Sequence, residues 1–238
     1  MRMRLQKALA FTLAETLIVM GIIGIVSALT LPNLNSSTGE KEKIAKVKKI
    51  YQNLDDAFGR AQAVYGPVDE WKTLDSTADA QITRFGERIT EFMKVSKNCG
   101  VATNQGCFSN KNVKYIDGRD AGSSIDNSTS WYKIILADGT AVAMTNTTFQ
   151  VDIDGLNKGQ NQLGTDIFLF NHNGGVVTPF GPDNFSEYLD GNNNSIMQNG
   201  NKASAWIINY DNMDYLKLTS AGKCPNGTTP TEQNPRCK

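Results

Sequence analysis

The sequence predicts an α+β fold, with a long N-terminal membrane-spanning helix followed by a globular head built on an antiparallel sheet. Three observations predict it. Phe11 to Leu31, "FTLAETLIVMGIIGIVSALTL", is an apolar run of 21 residues with a single charge, Glu15. As a helix it is about 31 Å long, enough for a bilayer core. Next, Ile44, Val47, Tyr51, Leu54, Phe58, Ala61 and Tyr65 recur in alternating steps of three and four, one apolar stripe of a second helix. After residue 96 the chain turns rich in Gly, Asn, Ser and Thr and its apolar residues fall into short runs, the mark of strands and turns.

The chain has 238 residues, enough for one sizeable domain and an anchor. Its first ten, "MRMRLQKALA", hold Arg2, Arg4 and Lys7 and no acid, whereas the rest carries 21 basic and 24 acidic residues. Positive residues stay cytoplasmic, so everything after Leu31 is expected outside the inner membrane. The balanced charge gives no support for nucleic acid as a partner. Glu15 stands out, because a carboxylate costs about 2.5–3.5 kcal/mol at a membrane centre and less near its edge. Either it reaches the headgroups or it has a cationic partner. Gly21, Gly24, Ser27 and Ala28 are small and closely spaced, which suits close helix approach. Pro32 lacks an amide donor and precedes weak helix formers, "PNLNSSTG", so a kink or a melting segment is expected.

Ser37 and Glu40 have capping-box spacing for the second helix, and Gly66-Pro67 ends it. Its apolar stripe suits the face onto which a sheet packs, with an autonomous coiled coil as the alternative. The lysines at 41, 43, 46, 48 and 49 read as a solvated face near the membrane, within reach of anionic lipid. "STADAQITRFGERITEFMKVSKNC" reads as a further amphipathic helix with Ile82, Phe85, Ile89, Phe92 and Met93 inward. "WYKIILADGTAVAMTN" is a hairpin around Asp138-Gly139. "TTFQVDID", "TDIFLF" and "GGVVTPF" are strands, "DGNNNSIMQNGNKAS" a polar loop, and "AWIINYDNMDYLKL" a last ordered segment.

Four cysteines fall into two local pairs, Cys99 with Cys107 and Cys224 with Cys237. An even count in short pairs reads as two disulfides in an oxidising compartment. Spacings wider than C-x₂₋₄-C and a single histidine, His172, speak against zinc. No nucleophile elbow, P-loop or G-x-G-x-x-G is present, and His172 in "FNHNGG" reads as a loop residue. An enzyme is not expected.

The start is no ordinary secretory signal, since the apolar run is long, carries Glu15 and ends without A-x-A. "AFTLAETLIVMGIIGIVSALTLP" instead resembles the N-terminal signal of type IV pilins and type II secretion pseudopilins. The resemblance implies cleavage between Ala10 and Phe11 by a prepilin peptidase, with Ala10 standing where the family commonly has glycine. It implies N-methylation of Phe11 and polymerisation through the apolar helix, with Glu15, Gly21, Gly24 and Pro32 serving assembly. An α-amine titrates near 7.7–8.0, so the Phe11 amine of one subunit would meet the Glu15 carboxylate of its neighbour. The implied layout is a leader over 1–10, a transmembrane and assembly helix over 11–31, a kink and amphipathic helix over 32–66, and a pilin-like head over 67–238. The implied place is a single pass in a bacterial inner membrane, with the N-terminus cytoplasmic and the head periplasmic or extracellular. The implied partners are further copies or related subunits, the prepilin peptidase and an inner-membrane assembly platform. The alternative is a membrane-anchored periplasmic binding protein or enzyme that keeps its anchor.

"VDIDGLNKGQNQLGTDIFLF" leaves two readings open. Asp152, Asp154, Asn157 and Asp166 are hard oxygen donors for calcium on a tight loop, the one cofactor the sequence suggests. The stretch also resembles a structural turn region of pseudopilin-like heads.

Overall fold

The structure, a computed structural model, describes residues 13–72, 77–122, 124–156, 158–173, 175–190 and 195–237; of 27–38 and 72 it describes the backbone alone. The chain divides into two units, Met1–Lys41 and Glu42–Lys238. Helix α1, Leu13–Tyr65, runs through the boundary between them. The backbone stays helical through Pro32, and no second helix start occurs near Ser37. A proline removes one donor and costs a helix about 3 kcal/mol, yet the helix runs on past it.

In the first unit the side chains from Leu13 to Val26 are exposed. Among the described residues no helix is long and apolar enough to cross a membrane. This corrects the expected membrane-spanning helix over 11–31, and with it the single-pass inner-membrane placement.

The second unit carries a six-stranded antiparallel sheet on which the C-terminal part of α1 packs. The strands are β1 (Val95–Gly100), β2 (Tyr132–Leu136), β3 (Ala141–Met144), β4 (Thr148–Asp152), β5 (Ile167–Asn173) and β6 (Val176–Pro179). They pair in sequence order, a plain meander. Period-two alternation sorts their side chains. Ile134, Val142, Met144, Phe149, Val151, Phe168 and Phe170 face one core, which α1 completes with Val47, Ile50, Leu54, Ala57, Phe58 and Ala61. Each of the larger of these side chains contributes about 1.5–3 kcal/mol when fully buried. The stripe is therefore sheet-facing, and the coiled-coil alternative falls away. Ala141, Ala143 and Ile167 face a second, smaller core on the back, closed by Cys99, Cys107, Phe108, Val113, Ile125 and Leu163.

Gly66, with φ of +80°, closes α1 before Pro67, and α2 (Val68–Lys72) follows. Helix α3, Ala78–Thr90, starts at Thr77, whose hydroxyl accepts from the Ala80 amide. It is shorter than the sequence suggests. Phe92 and Met93 lie beyond it and Val95–Gly100 enters the sheet as β1, because pairing with β2 satisfies that backbone better than another helical turn. Gly86 lets α3 lie on β2, since a Cβ there would fall 2.1 Å from the Tyr132 ring. The β2–β3 hairpin turns at Asp138-Gly139 as the sequence indicates, with Gly139 at φ of +89°. Helices α4 (Ser186–Leu189), α5 (Ile196–Asn199) and α6 (Ala203–Tyr210) and a 3₁₀ turn at Asp214–Lys217 finish the fold.

Candidate functional site

Ala10 and Phe11, the expected cleavage and methylation positions, lie outside the described residues, as does Asn157. Glu15 sits in the first turn of α1 and is exposed, and Thr16 bonds back to the Leu13 carbonyl over 2.9 Å. Leu13, Leu17, Ile18, Val19, Met20, Ile22, Ile23, Ile25 and Val26 are all exposed, from 53% at Val26 to 80% at Leu13. At about 100° per residue these positions point in every direction around the helix. A helix that is apolar all round has to be enclosed. Gly21 and Gly24 belong to the same stretch, and a Cβ at either would meet nothing within 4 Å. Each weakens an exposed helix by about 0.8–1 kcal/mol relative to alanine, and no contact among the described residues offsets it.

Of the five lysines beyond this segment, Lys41 is exposed and the other four are paired. Lys43 donates to the Thr165 carbonyl over 2.8 Å and pairs with Asp154 at 3.6 Å. Lys46 pairs with Glu42 at 3.1 Å and Asp154 at 3.4 Å, Lys48 with Asp211 and Lys49 with Asp138, both at 2.7 Å. Every partner apart from Glu42 lies in the head, so these four lysines tie helix to head. The spacing that suggested an outer face also lets them reach loops beyond the sheet edge.

The β4–β5 loop brings three of the four calcium candidates near one another in a different role. Asp152 is buried and accepts from the amides of Asp154 and Gly155 at 3.1 and 3.0 Å. Asp166 is buried too and accepts from Asn161 and Gln162 at 2.7 Å each. Asp154 is taken by the two lysines. The carboxylates therefore organise backbone and cations, and among the described residues no group of three or more acidic, histidine or cysteine side chains is placed to hold a metal ion. Burial, with the Asp166 carboxylate close by, pushes Asp152 up to about 7. Burial raises Asp166 as well, against the backbone amides that favour its charged form.

Both expected disulfides form. Cys99–Cys107 spans 6.3 Å between Cα atoms and Cys224–Cys237 spans 5.4 Å. Asp126, buried behind the first, collects the amides of Gly106, Cys107 and Phe108 at 3.0–3.3 Å. Asp214 accepts from the Cys237 amide at 2.7 Å beside the second.

Two buried groups escaped the sequence reading. His172 is not a loop residue; it lies in β5, 3% exposed, stacked on Phe85 at 4.7 Å and near Phe58 and Phe149. The strand simply continues past Phe170 and its alternation turns position 172 inward. Lys133 in β2 is fully buried, and its amine donates to the Ser128 and Val101 carbonyls. Desolvation lowers its pKa from the ordinary lysine value. Its position on the back face in the β2 alternation was the available signal for burial.

No family model, curated protein or solved structure matches the chain.

Proposed function

We propose that this protein is a structural subunit of a pilin- or pseudopilin-like filament, processed between Ala10 and Phe11 by a prepilin peptidase and polymerised through its N-terminal helix. The observation that carries this reading is the all-round exposure of Leu13–Val26. Nine large apolar side chains, at about 1.5–3 kcal/mol each on full burial, offer on the order of 15–25 kcal/mol. That exceeds the roughly 4–15 kcal/mol that association costs in lost freedom. A dimer covers one side of a helix, so enclosing this one takes several copies, as in the core of a filament. The glycines at 21 and 24 leave room for backbones to approach. Glu15 supplies a carboxylate for the methylated Phe11 amine of the neighbouring copy, setting register. The head faces outward, and the assembly machinery is the further partner.

Two measurements on the native filament fraction test the reading. Mass spectrometry is expected to find a mature chain beginning at methylated Phe11. Electron microscopy is expected to show fibres that the Glu15→Ala variant makes at much reduced yield. An intact Met1 together with no polymer overturns the proposal, and wild-type assembly by Glu15→Ala overturns the charge pairing.

A further inference from the structure

The back of the sheet is incompletely covered. Between the loop that precedes β2 and strands β4 and β5 lies a cavity of about 330 Å³, within the size range of small-ligand sites. Leu163 and Leu169 form part of its apolar lining, and Trp131 and Tyr115 add aromatic surface. No acidic or basic side chain lines it among the described residues. Two amides also line it. Gln150 on β4 is 8% exposed and its side chain makes no hydrogen bond among the described residues. The Asn201 Oδ1 is buried and has no hydrogen-bond partner. The Trp131 indole, half-exposed, likewise has neither hydrogen bond nor ring partner there.

Buried polar groups are nearly always satisfied, so the Asn201 Oδ1 needs an explanation, and the Gln150 amide and Trp131 ring are open to the same ligand. We infer that this cavity is a binding site for a neutral saccharide unit. A charged ligand would find no counter-ion in it. A wholly apolar ligand would leave the Gln150 amide and the Asn201 acceptor unmet, which is costly. A pyranose fits both demands. Its C–H face lies against the Trp131 ring, and its hydroxyls donate and accept at once. One hydroxyl donates to the Asn201 Oδ1 and a neighbouring pair engages the donor and acceptor of Gln150.

Saturation-transfer NMR on the full chain in a sugar-free zwitterionic detergent tests this. The probes are methyl glucoside, methyl galactoside and N-acetylglucosamine, with glucuronate as the charged and toluene as the apolar control. Trp71 and Trp206 are buried, so fluorescence quenching by a sugar reports chiefly on Trp131. At least one neutral sugar is expected to bind, with both controls weaker by about tenfold or more. Trp131→Ala and Asn201→Ala, at half-exposed positions, are each expected to weaken it by about tenfold, and Gln150→Leu by as much. Each variant is first checked for an unchanged melting temperature and two intact disulfides, and Trp131→Ala alone decides if Gln150→Leu does not fold. The inference is overturned if no neutral sugar gives transfer, if the folded variants bind as the wild type does, or if glucuronate or toluene binds more tightly.

Discussion

Asp152 and Asp166 are the same residue type at the two ends of one loop, yet their environments give them different tolerances. At Asp152 one oxygen, Oδ1, accepts both amides. At Asp166 both oxygens are engaged, one by Asn161 and one by Gln162. Asp152 titrates near 7 in the fold, against about 3.9 for a free aspartate. The folded state therefore holds the extra proton between those values. Stability falls as pH rises through that window, and the loss is complete above about 7. Asparagine at 152 keeps the Oδ1 acceptor and removes the charge. Asp152→Asn is expected to raise stability at pH 8 by on the order of 3 kcal/mol and to flatten the pH dependence, read by thermal melts from pH 4 to 8. Asp166→Asn turns an amide donor toward a backbone donor and is expected to cost about 1–3 kcal/mol at pH 8. Equal effects of the two would refute this assignment.

Among the elements, α1 carries two different surfaces on one continuous helix. Its C-terminal part places Phe58, fully buried, among Trp71, Phe85, Phe149 and His172. Phe58→Ala is expected to cost about 3–5 kcal/mol in chemical denaturation, because it opens a cavity where several rings meet. Its N-terminal part makes the opposite prediction. Alanine at 21 and 24 meets nothing within 4 Å among the described residues and gains up to about 1 kcal/mol of helix propensity at each site. The double variant is expected to keep the head's melting temperature and yet lose filament yield, measured by sedimentation of sheared polymer. Unchanged yield would show that no neighbouring backbone approaches these positions.

For the whole molecule, the disulfides close what the sheet does not reach. The tail from Cys224 to Cys237 contributes few apolar side chains, and segments of that kind do not stay ordered unaided. It is held by its bridge, by the Asp214 contact to the Cys237 amide and by the Arg236 bond to the Asp211 carbonyl. Closing a loop of this length contributes about 3 kcal/mol on a chain-entropy account. Cys224→Ser is expected to expose the chain after Leu218 to protease while leaving Cys99–Cys107 intact, read by peptide mapping under non-reducing conditions. A tail as resistant as the wild type's would mean that the Asp214 and Arg236 contacts suffice.

The sequence by itself determined whatever depends on local period and local reach. The stripe from Ile44 to Ala61, the Asp138-Gly139 hairpin, the strands after it and both cysteine pairs follow from spacings within a few residues, where steric and turn preferences dominate. Tertiary structure decided the rest, because burial and charge pairing depend on what lies across the sheet. It shortened α3 and turned Val95–Gly100 into β1, since β2 offered a better partner for that backbone. It brought His172 and Lys133 inside by strand alternation. It joined the lysines of α1 to head carboxylates far along the chain, and it put Asp152 and Asp166 to work as backbone acceptors. It also gathered Trp131, Gln150 and Asn201, separated by long stretches of sequence, around one cavity. No periodicity links those positions; only the packing of loop against sheet does.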